Sequence, residues 1–224
     1  MGGQPQHQST ASDAFRNTVD KALANLAQRR PIFHSEADFQ YEFAREYHSL
    51  RPSDEIRLER PVRVDEAGTF NVDILIGIDG TWHAVELKYV TAGLTTVISN
   101  EEFRLRSQAA QDLRRYDIIK DILRLESLIA HGAVASGISV TITNDRTLWS
   151  ESKHPDPVDA AFRLHDGRVL TGSLAWHDRA SAGTRSGREA MLELAGSFPL
   201  QWSEYSSLDT LRNGEFRQLV VPVV

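Results

Sequence analysis

Residues 72–90 constrain the fold most, because they combine two apolar runs with a strong turn signal between them. The first run, 72–78, is almost entirely apolar and β-branched, as is typical of a central strand. Asp79-Gly80 follows, a pair that favours a two-residue hairpin turn. The second run, 82–90, reads WHAVELKYV. The pattern therefore predicts a β-hairpin that lies inside a sheet.

Three charged residues interrupt this apolar hairpin: Asp73, Glu86 and Lys88. Since side chains alternate along a strand, Glu86 and Lys88 emerge on one face and share it with Ala84 and Val90. Asp73 and Glu86 are equally far from the turn, so the hairpin brings them to about the same height. Burying such charges is costly unless something compensates them.

Two carboxylates that meet on a sheet repel each other, and each raises the pKa of the other. A hard divalent cation relieves that conflict, because Mg²⁺ takes oxygen ligands, keeps several waters and bridges to phosphate. Lys88 would then orient or deprotonate an attacking water and offset phosphate charge. Alternating charges on a strand are more often a solvated edge, but the apolar setting favours a phosphodiester-hydrolysing site.

The sequence predicts two helices before the hairpin. The first begins at Ser12, a suitable capping residue, and ends at Pro31. The second begins at Ser35, has acids in its first turn where they suit the helix dipole, and closes at Pro52. Residues 1–11 have little to bury, and we expect them to be mobile. The apolar stripe of the first helix consists of Phe15, Val19, Leu23 and Leu26.

Around the hairpin, alternation predicts a strand at 56–64, and 91–103 looks like a connection. A helical pattern follows over 104–130 and then a strand over 138–143. The order is helix, strand, strand, strand, helix, strand, which indicates a mixed α/β fold. The stripe of the long helix is Ile118, Ile122, Leu125 and Ile129, with Asp117, Lys120, Asp121 and Arg124 assigned to its other faces.

The C-terminal third contains no transferable motif. Its segments 160–164, 167–174, 198–204 and 216–224 could be strands separated by Gly, Asp and Ser turns. We therefore divide the chain into three parts by their expected structure. These are a flexible N-terminus and helix at 1–30, a core at 31–150, and a β-rich extension at 151–224 that packs on the same domain.

Asp73, a hairpin and then Glu86-Leu87-Lys88 resemble the acid and Glu-x-Lys signature of the PD-(D/E)XK nuclease superfamily. The resemblance covers residues 33–145 and is closest to an uncharacterised bacterial branch of that superfamily. It implies a restriction endonuclease-like core, in which a helix, three strands, a helix and a strand surround a mixed sheet. One departure is Val72, which stands where the motif often has proline.

The resemblance implies roles for these residues. Asp73 and Glu86 would bind Mg²⁺ or Mn²⁺, helped by the backbone carbonyl of Leu87, and Lys88 would position the water. Family members often add an acid from the first helix. Glu36 matches best and would act through a metal-bound water, with Glu42 and Glu46 as rivals. The alternative for Glu36 is that it merely stabilises the helix dipole.

The family also often carries Gln or Tyr on the helix after the Glu-x-Lys strand. Such side chains would bind nucleic acid or surround the catalytic residues, although they can equally form a solvated helix face. Arginines near the start of this helix could contact phosphates, although solvated surface is their commoner meaning. The candidates are Gln108, Gln111, Asp112, Arg115 and Tyr116, with Arg104, Arg106 and Arg114 as further cations.

The sequence excludes several other classes of functional site. The chain has no cysteine, so thiolate catalysis and cysteine zinc sites are ruled out, and a cytoplasmic location is expected. His34, His83 and His154 lack metal-ligand spacing and are interpreted as structural or surface residues. The stretch 183–187 misses the nucleophile spacing of serine hydrolases. No phosphate-binding glycine loop and no membrane-spanning run occurs.

The sequence therefore predicts a Mg²⁺- or Mn²⁺-dependent nuclease, with DNA as the expected substrate. One alternative is a catalytically silent nuclease fold that binds nucleic acid within a repair or defence complex, and another is an RNA-directed nuclease. The net charge of −6 speaks mildly against non-specific coating of nucleic acid but leaves room for a local basic patch. A homodimer is possible, while substrate structure and the choice between endo- and exonuclease stay open.

Overall fold

The computed structural model describes residues 5–64, 68–208 and 211–224 and shows an α/β fold. Its first elements are α1 (Pro5–Arg29), α2 (Glu36–Leu50), β1 (Glu55–Val64), β2 (Gly68–Ile78), β3 (Thr81–Val90), β4 (Leu94–Ile98) and β5 (Glu101–Leu105). They are followed by α3 (Gln111–Ala130), β6 (Ser136–Thr143), α4 (Arg146–Trp149), a 3₁₀ turn (Ala160–Phe162), β7 (Val169–Leu174), β8 (Leu192–Pro199), β9 (Trp202–Ser207) and β10 (Glu215–Val223).

A mixed six-stranded sheet organises the molecule, in the order β1-β2-β3-β6-β10-β9. Only β3 and β6 pair in parallel, and the other neighbours are antiparallel. The β-rich C-terminus completes this sheet, because β9 and β10 extend it beyond β6. Two smaller hairpins, β4–β5 and β7–β8, lie outside it. The prediction of an α/β fold with a mixed central sheet is therefore confirmed.

The sheet separates two apolar clusters. One cluster contains residues of α1 and α2, and the other contains residues of α3, β7 and β8. Val85, Leu87 and Tyr89 of β3 face the first cluster, whereas Ala84 and Val90 face the second. The predicted alternation along β3 is therefore confirmed, and it sends Glu86 and Lys88 toward α3.

The central hairpin forms as predicted. Asp79 and Gly80 both have positive φ, 48° and 80°, which a tight turn joining two twisted strands requires. The strands then pair in register from Ile78 opposite Thr81 to Ile74 opposite Val85. One further step along this register is Asp73 with Glu86, so the two carboxylates meet at the height that the sequence predicts.

The two N-terminal helices differ in how well their starts were predicted. Ser35 caps α2, and its hydroxyl accepts the Asp38 N–H. The start of α1 at Ser12 is wrong, because the helix already begins at Pro5. Proline suits a first helical position, and the polar residues after it contain no helix breaker. Residues 5–11 therefore belong to the helix, and 1–4 lie outside the described residues.

The segment between β3 and α3 also differs from prediction. Residues 91–103 do not form a plain connection, since β4 and β5 make a hairpin there with Ser99 and Asn100 at positive φ. The helix begins at Gln111 rather than at 104. The β-branched run 95–98 favours a strand, and this local preference prevailed. Arg104 therefore lies on a strand and not near a helix start.

Two of the four C-terminal strand predictions are wrong. Residues 160–164 contain the 3₁₀ turn instead, and 198–204 spans the end of β8, a break and the start of β9. Segments 167–174 and 216–224 coincide with β7 and β10. No helix within the described residues combines the length and the apolar character needed to cross a membrane.

Candidate active site

The candidate site lies where β2 and β3 separate. Their pairing ends at Ile74 and Val85, and the earlier part of β2 pairs only with β1. Since the N–H and C=O of one residue point to the same side of a strand, the backbone groups of Leu87 and Tyr89 face the resulting gap. We call this gap, bordered by β2 and by residues 86–89 of β3, the fork.

Asp73 and Lys88 satisfy the backbone of Leu87 in the fork. Asp73 Oδ2 accepts the Leu87 N–H at 2.7 Å, and Lys88 Nζ donates to the Leu87 carbonyl at 3.0 Å. The side chains thus replace the missing strand pairing, which is the reason why charged groups are tolerated here. The Leu87 carbonyl, predicted to help bind metal, is therefore already bonded to Lys88.

Glu36 and Gln108 satisfy the backbone N–H and C=O of Tyr89. Glu36 Oε2 accepts the Tyr89 N–H at 2.9 Å, and Gln108 Nε2 donates to the Tyr89 carbonyl at 3.2 Å. Both predicted residues therefore border the fork. The predicted rivals of Glu36 lie elsewhere on α2. Glu42 and Glu46 both pair with Arg29 of α1.

Gln40 is a fork residue that the sequence did not single out. Its Nε2 donates to the Asp73 carbonyl and to Glu59 Oε1, both at 2.8 Å. Glu59 has a positive φ of 50°, so its backbone is strained beside the place where β2 leaves β3. The spacing of four residues between Glu36 and Gln40 places both on one face of α2, and this signal could have found Gln40.

Asp121 and Arg124 of α3 close the site from the other side. Lys88 Nζ lies 2.8 Å from Asp121 Oδ2, and Arg124 Nη1 lies 3.1 Å from Asp121 Oδ1 and 3.3 Å from Glu86 Oε1. Asp121 is buried, so its assignment to the polar face of the helix is wrong. Its position three residues after Ile118 and four before Leu125 places it at the edge of the apolar stripe, a signal that could have found it.

Burial and like charge act together on Glu86. Its side chain is fully buried, and its Oε2 has no hydrogen-bond partner among the described residues. Burial first, and then the charges of Asp121 and Asp73, raise the pKa of Glu86 well above its ordinary value. Burial likewise raises the pKa of Asp121. The conflict between neighbouring carboxylates that the sequence predicts is therefore present.

Lys88 is held in its charged form. Burial alone would lower its pKa, but Asp121, Glu36 and Asp73 together raise it above the ordinary value. Such an ammonium can orient a water or offset negative charge, but it does not take up a proton. The pKa of Glu36 is raised, mainly by burial, so Glu36 is the better proton acceptor of the two.

A magnesium-like ion is compatible with this donor set. Within the described residues, no three His, Asp or Glu side chains are grouped as ligands of one metal ion. Mg²⁺, however, is commonly held by one or two carboxylates and completes its shell with waters and phosphate. Asp73 and Glu86 provide two carboxylates, and the unpartnered Oε2 of Glu86 gives one of them a free oxygen.

No family model, no curated protein and no solved structure matches this chain. The resemblance to PD-(D/E)XK nucleases therefore depends on the sequence of residues 33–145 alone.

Arg115 and Tyr116 do not border the fork. Arg115 is buried, pairs with Asp159 at 2.9 Å and donates to the Thr147 carbonyl. Tyr116 is also buried, and its hydroxyl donates to the Ala190 carbonyl. Both side chains therefore join α3 to the C-terminal part of the chain. Neither forms a solvated helix face, which was the alternative interpretation.

Gln111 and Asp112 make only local contacts at the start of α3. Gln111 Nε2 donates to the Gln108 carbonyl, and Asp112 Oδ1 accepts the Leu113 N–H. Of the five helix candidates, the structure brings only Gln108 into the fork. It does so because Gln108 precedes the helix and follows the β4–β5 hairpin back toward β3.

Proposed function

We propose that this protein is a metal-dependent nuclease that hydrolyses phosphodiester bonds, with DNA as its substrate. The observation that carries the proposal is the buried carboxylate of Glu86 where two strands separate: its Oε2 has no hydrogen-bond partner among the described residues, and burial, helped by the charge of Asp73, raises the pKa of Glu86. Arg124 contacts only Oε1, so a charged Glu86 keeps one buried oxygen without a partner among the described residues, which is costly. A hard cation with a bound phosphate would compensate it.

The order of elements supports the same proposal. The order helix, three strands, helix, strand that is expected for a restriction endonuclease-like core occurs in α2, β1, β2, β3, α3 and β6, with the β4–β5 hairpin inserted before α3. We propose that core, together with membership of the PD-(D/E)XK superfamily. A homodimer and a cytoplasmic location stay predictions that go with it.

The roles follow from the contacts in the fork. Asp73 and Glu86 would hold Mg²⁺ or Mn²⁺, which when bound supplies Lewis-acid charge stabilisation and lowers the pKa of its water. The Lys88 ammonium orients the attacking water and offsets the charge that develops on the phosphate. Glu36 would act through a metal-bound water and accept its proton. Arg124 keeps Glu86 in place through its contact with Oε1.

The test is cleavage of labelled single-stranded, duplex and branched DNA in the presence of Mn²⁺, with matched RNA in parallel. We expect Glu86→Gln and Lys88→Ala each to lower the rate by roughly 10² or more, as loss of a charge-stabilising group does. Glu42→Gln is the matched control, because this acid lies on α2 but pairs with α1. If Lys88→Ala cuts as fast as the parent protein, the mechanism is wrong.

One observation favours a catalytically silent nucleic-acid-binding module instead. Lys88 and Arg124 already form ion pairs with the site carboxylates, and such a network can hold the fold without metal. Titration calorimetry with Mn²⁺ separates the two functions. Absence of Mn²⁺ binding together with retained DNA binding would favour the silent module.

A further inference from the structure

A cavity of about 620 Å³ lies apart from the fork, beyond the carboxyl end of β6. It is formed around α4 and the segment that follows α4. Its basic lining residues are Arg146, Lys153, His154 and Arg163, and its one acidic lining residue is Glu151. This composition contrasts with the chain as a whole, whose net charge is −6. We call this cavity the basic pocket.

The cations of the basic pocket are largely free to bind a ligand. Across the part of the chain that the structure describes, Arg146, Lys153 and His154 form no ion pair. Arg163 pairs through Nη2 with Asp159 at 2.8 Å, which leaves its buried Nε without a hydrogen-bond partner. The pocket therefore presents donors that no protein group uses.

The residues that surround Asp159, next to the pocket, also carry more positive than negative charge. Asp159 is shared between Arg163 and the buried Arg115. The pKa of Arg115 and the pKa of Arg168 are both lowered, first by burial and then by the charge of Arg163. One carboxylate thus pairs with two guanidinium groups, and an anion in the pocket would relieve the repulsion among the arginines.

The remaining polar groups define the chemistry of that anion. Ser150 and Ser152 line the pocket beside the cations. Guanidinium, ammonium and hydroxyl donors in one place are the groups that proteins use to bind phosphate oxygens. We propose that the basic pocket binds a phosphate group of a nucleic-acid strand. This inference rests on the proposed function for the source of the phosphate.

The position of the pocket fits a strand that enters the fork. β3 and β6 run in parallel, with Val90 paired to Thr143, so both strands end at the same edge of the sheet. The fork lies at residues 86–89 of β3, and the basic pocket begins where the chain leaves β6. A nucleic-acid strand whose phosphate lies in the pocket would therefore approach the fork along this edge of the sheet.

The experiment measures binding of a fluorescent single-stranded oligonucleotide in EDTA, where no cleavage occurs, and of inorganic phosphate by calorimetry. Parent protein is compared with the double variant Arg146→Gln/Lys153→Gln. The matched control, Lys21→Gln/Arg63→Gln, removes the same charge at exposed positions outside the pocket. We expect the pocket variant to bind the oligonucleotide roughly tenfold more weakly, with a salt slope smaller by about 1.4, while the control changes little.

Each outcome decides the question. Weaker oligonucleotide binding in the pocket variant alone supports the proposal, and loss of phosphate binding with unchanged oligonucleotide binding assigns the site to free phosphate instead of a strand. Unchanged binding of both probes, or equal weakening in pocket and control variants, overturns it. If parent protein binds through the pocket but cleaves nothing with Mn²⁺, the proposed function fails and this inference stands.

Discussion

Lys88 and Asp121 form an ion pair that ties β3 to α3, with Nζ 2.8 Å from Oδ2 and both side chains mostly buried. Lys88 donates one N–H to the Leu87 carbonyl, and this bond directs its ammonium group toward the fork. Asp121 thus fixes both the charge and the direction of the ammonium.

Asp121→Asn should destabilise the fold, because it leaves the Lys88 ammonium buried without its partner. Breaking a buried pair in this way typically costs about 3 kcal/mol, or roughly 6–12 °C in Tm for a chain of this size. Denaturant unfolding measures the change. Lys88→Met/Asp121→Leu is the control, since replacing both charges by apolar groups should recover most of the loss. A single variant as stable as the parent would contradict the role of the pair.

Divalent metal should stabilise the parent protein through Glu86. Ligand at a hundred times its Kd adds about 2.7 kcal/mol to the free energy of unfolding, so Mn²⁺ should raise the Tm of the parent by several degrees. Glu86→Gln should abolish this increase. Without metal the same variant should change the Tm little, because it removes the repulsion of Asp73 and Asp121 together with the contact to Arg124. Equal Mn²⁺ shifts in both proteins would place the metal elsewhere.

The hairpin and its charged face could be predicted because they depend on local rules. Alternation places Glu86 and Lys88 together whatever surrounds them, and Asp79-Gly80 fixes the turn. Asp121 is harder to assign, because periodicity places it only at the edge of the apolar stripe. Its burial depends on a tertiary contact, since its partner Lys88 lies on β3 and meets it only when α3 packs on the sheet.

The choice among the three acids of α2 also could not be made from local sequence rules. Glu36, Glu42 and Glu46 are all compatible with helical periodicity, and only the tertiary structure separates them. Glu36 reaches the Tyr89 N–H because α2 begins beside the fork, whereas the other two face Arg29. The β4–β5 hairpin differs, because its β-branched run 95–98 and its Ser99-Asn100 turn are local signals, although its strands are only five residues long.

Glu36→Gln tests whether the acid on α2 takes part in the reaction. If Glu36 accepts a proton during hydrolysis, the amide should lower kcat by roughly 10² and leave KM nearly unchanged. The amide can still accept the Tyr89 N–H through its oxygen, so the fold should survive. Glu46→Gln, on the same helix but paired with Arg29, should keep the parent kcat. Equal rates in parent and Glu36→Gln would show that Glu36 only satisfies the backbone of β3 and takes no part in the reaction.

His83 should make the fold sensitive to mild acid. Its ring is buried, stacks on Phe15 with centroids 4.8 Å apart and pairs with Ser136 at 2.8 Å. Burial lowers its pKa, against a smaller opposing effect of Asp54. The unfolded chain therefore takes up this proton first, at a pH near 6.5, so stability falls as the pH drops from there toward the folded pKa.

His83→Gln should remove that loss while keeping a partner for Ser136. The variant costs some stability at pH 7.5, where the ring packs on Phe15, but its deficit against the parent should shrink as the pH falls below 6.5. One proton accounts for at most about 1.4 kcal/mol per pH unit. Urea unfolding at several pH values gives both curves, with His48→Gln, an exposed histidine of α2, as the control. Parallel curves for parent and His83→Gln between pH 7.5 and 5 would rule out this switch.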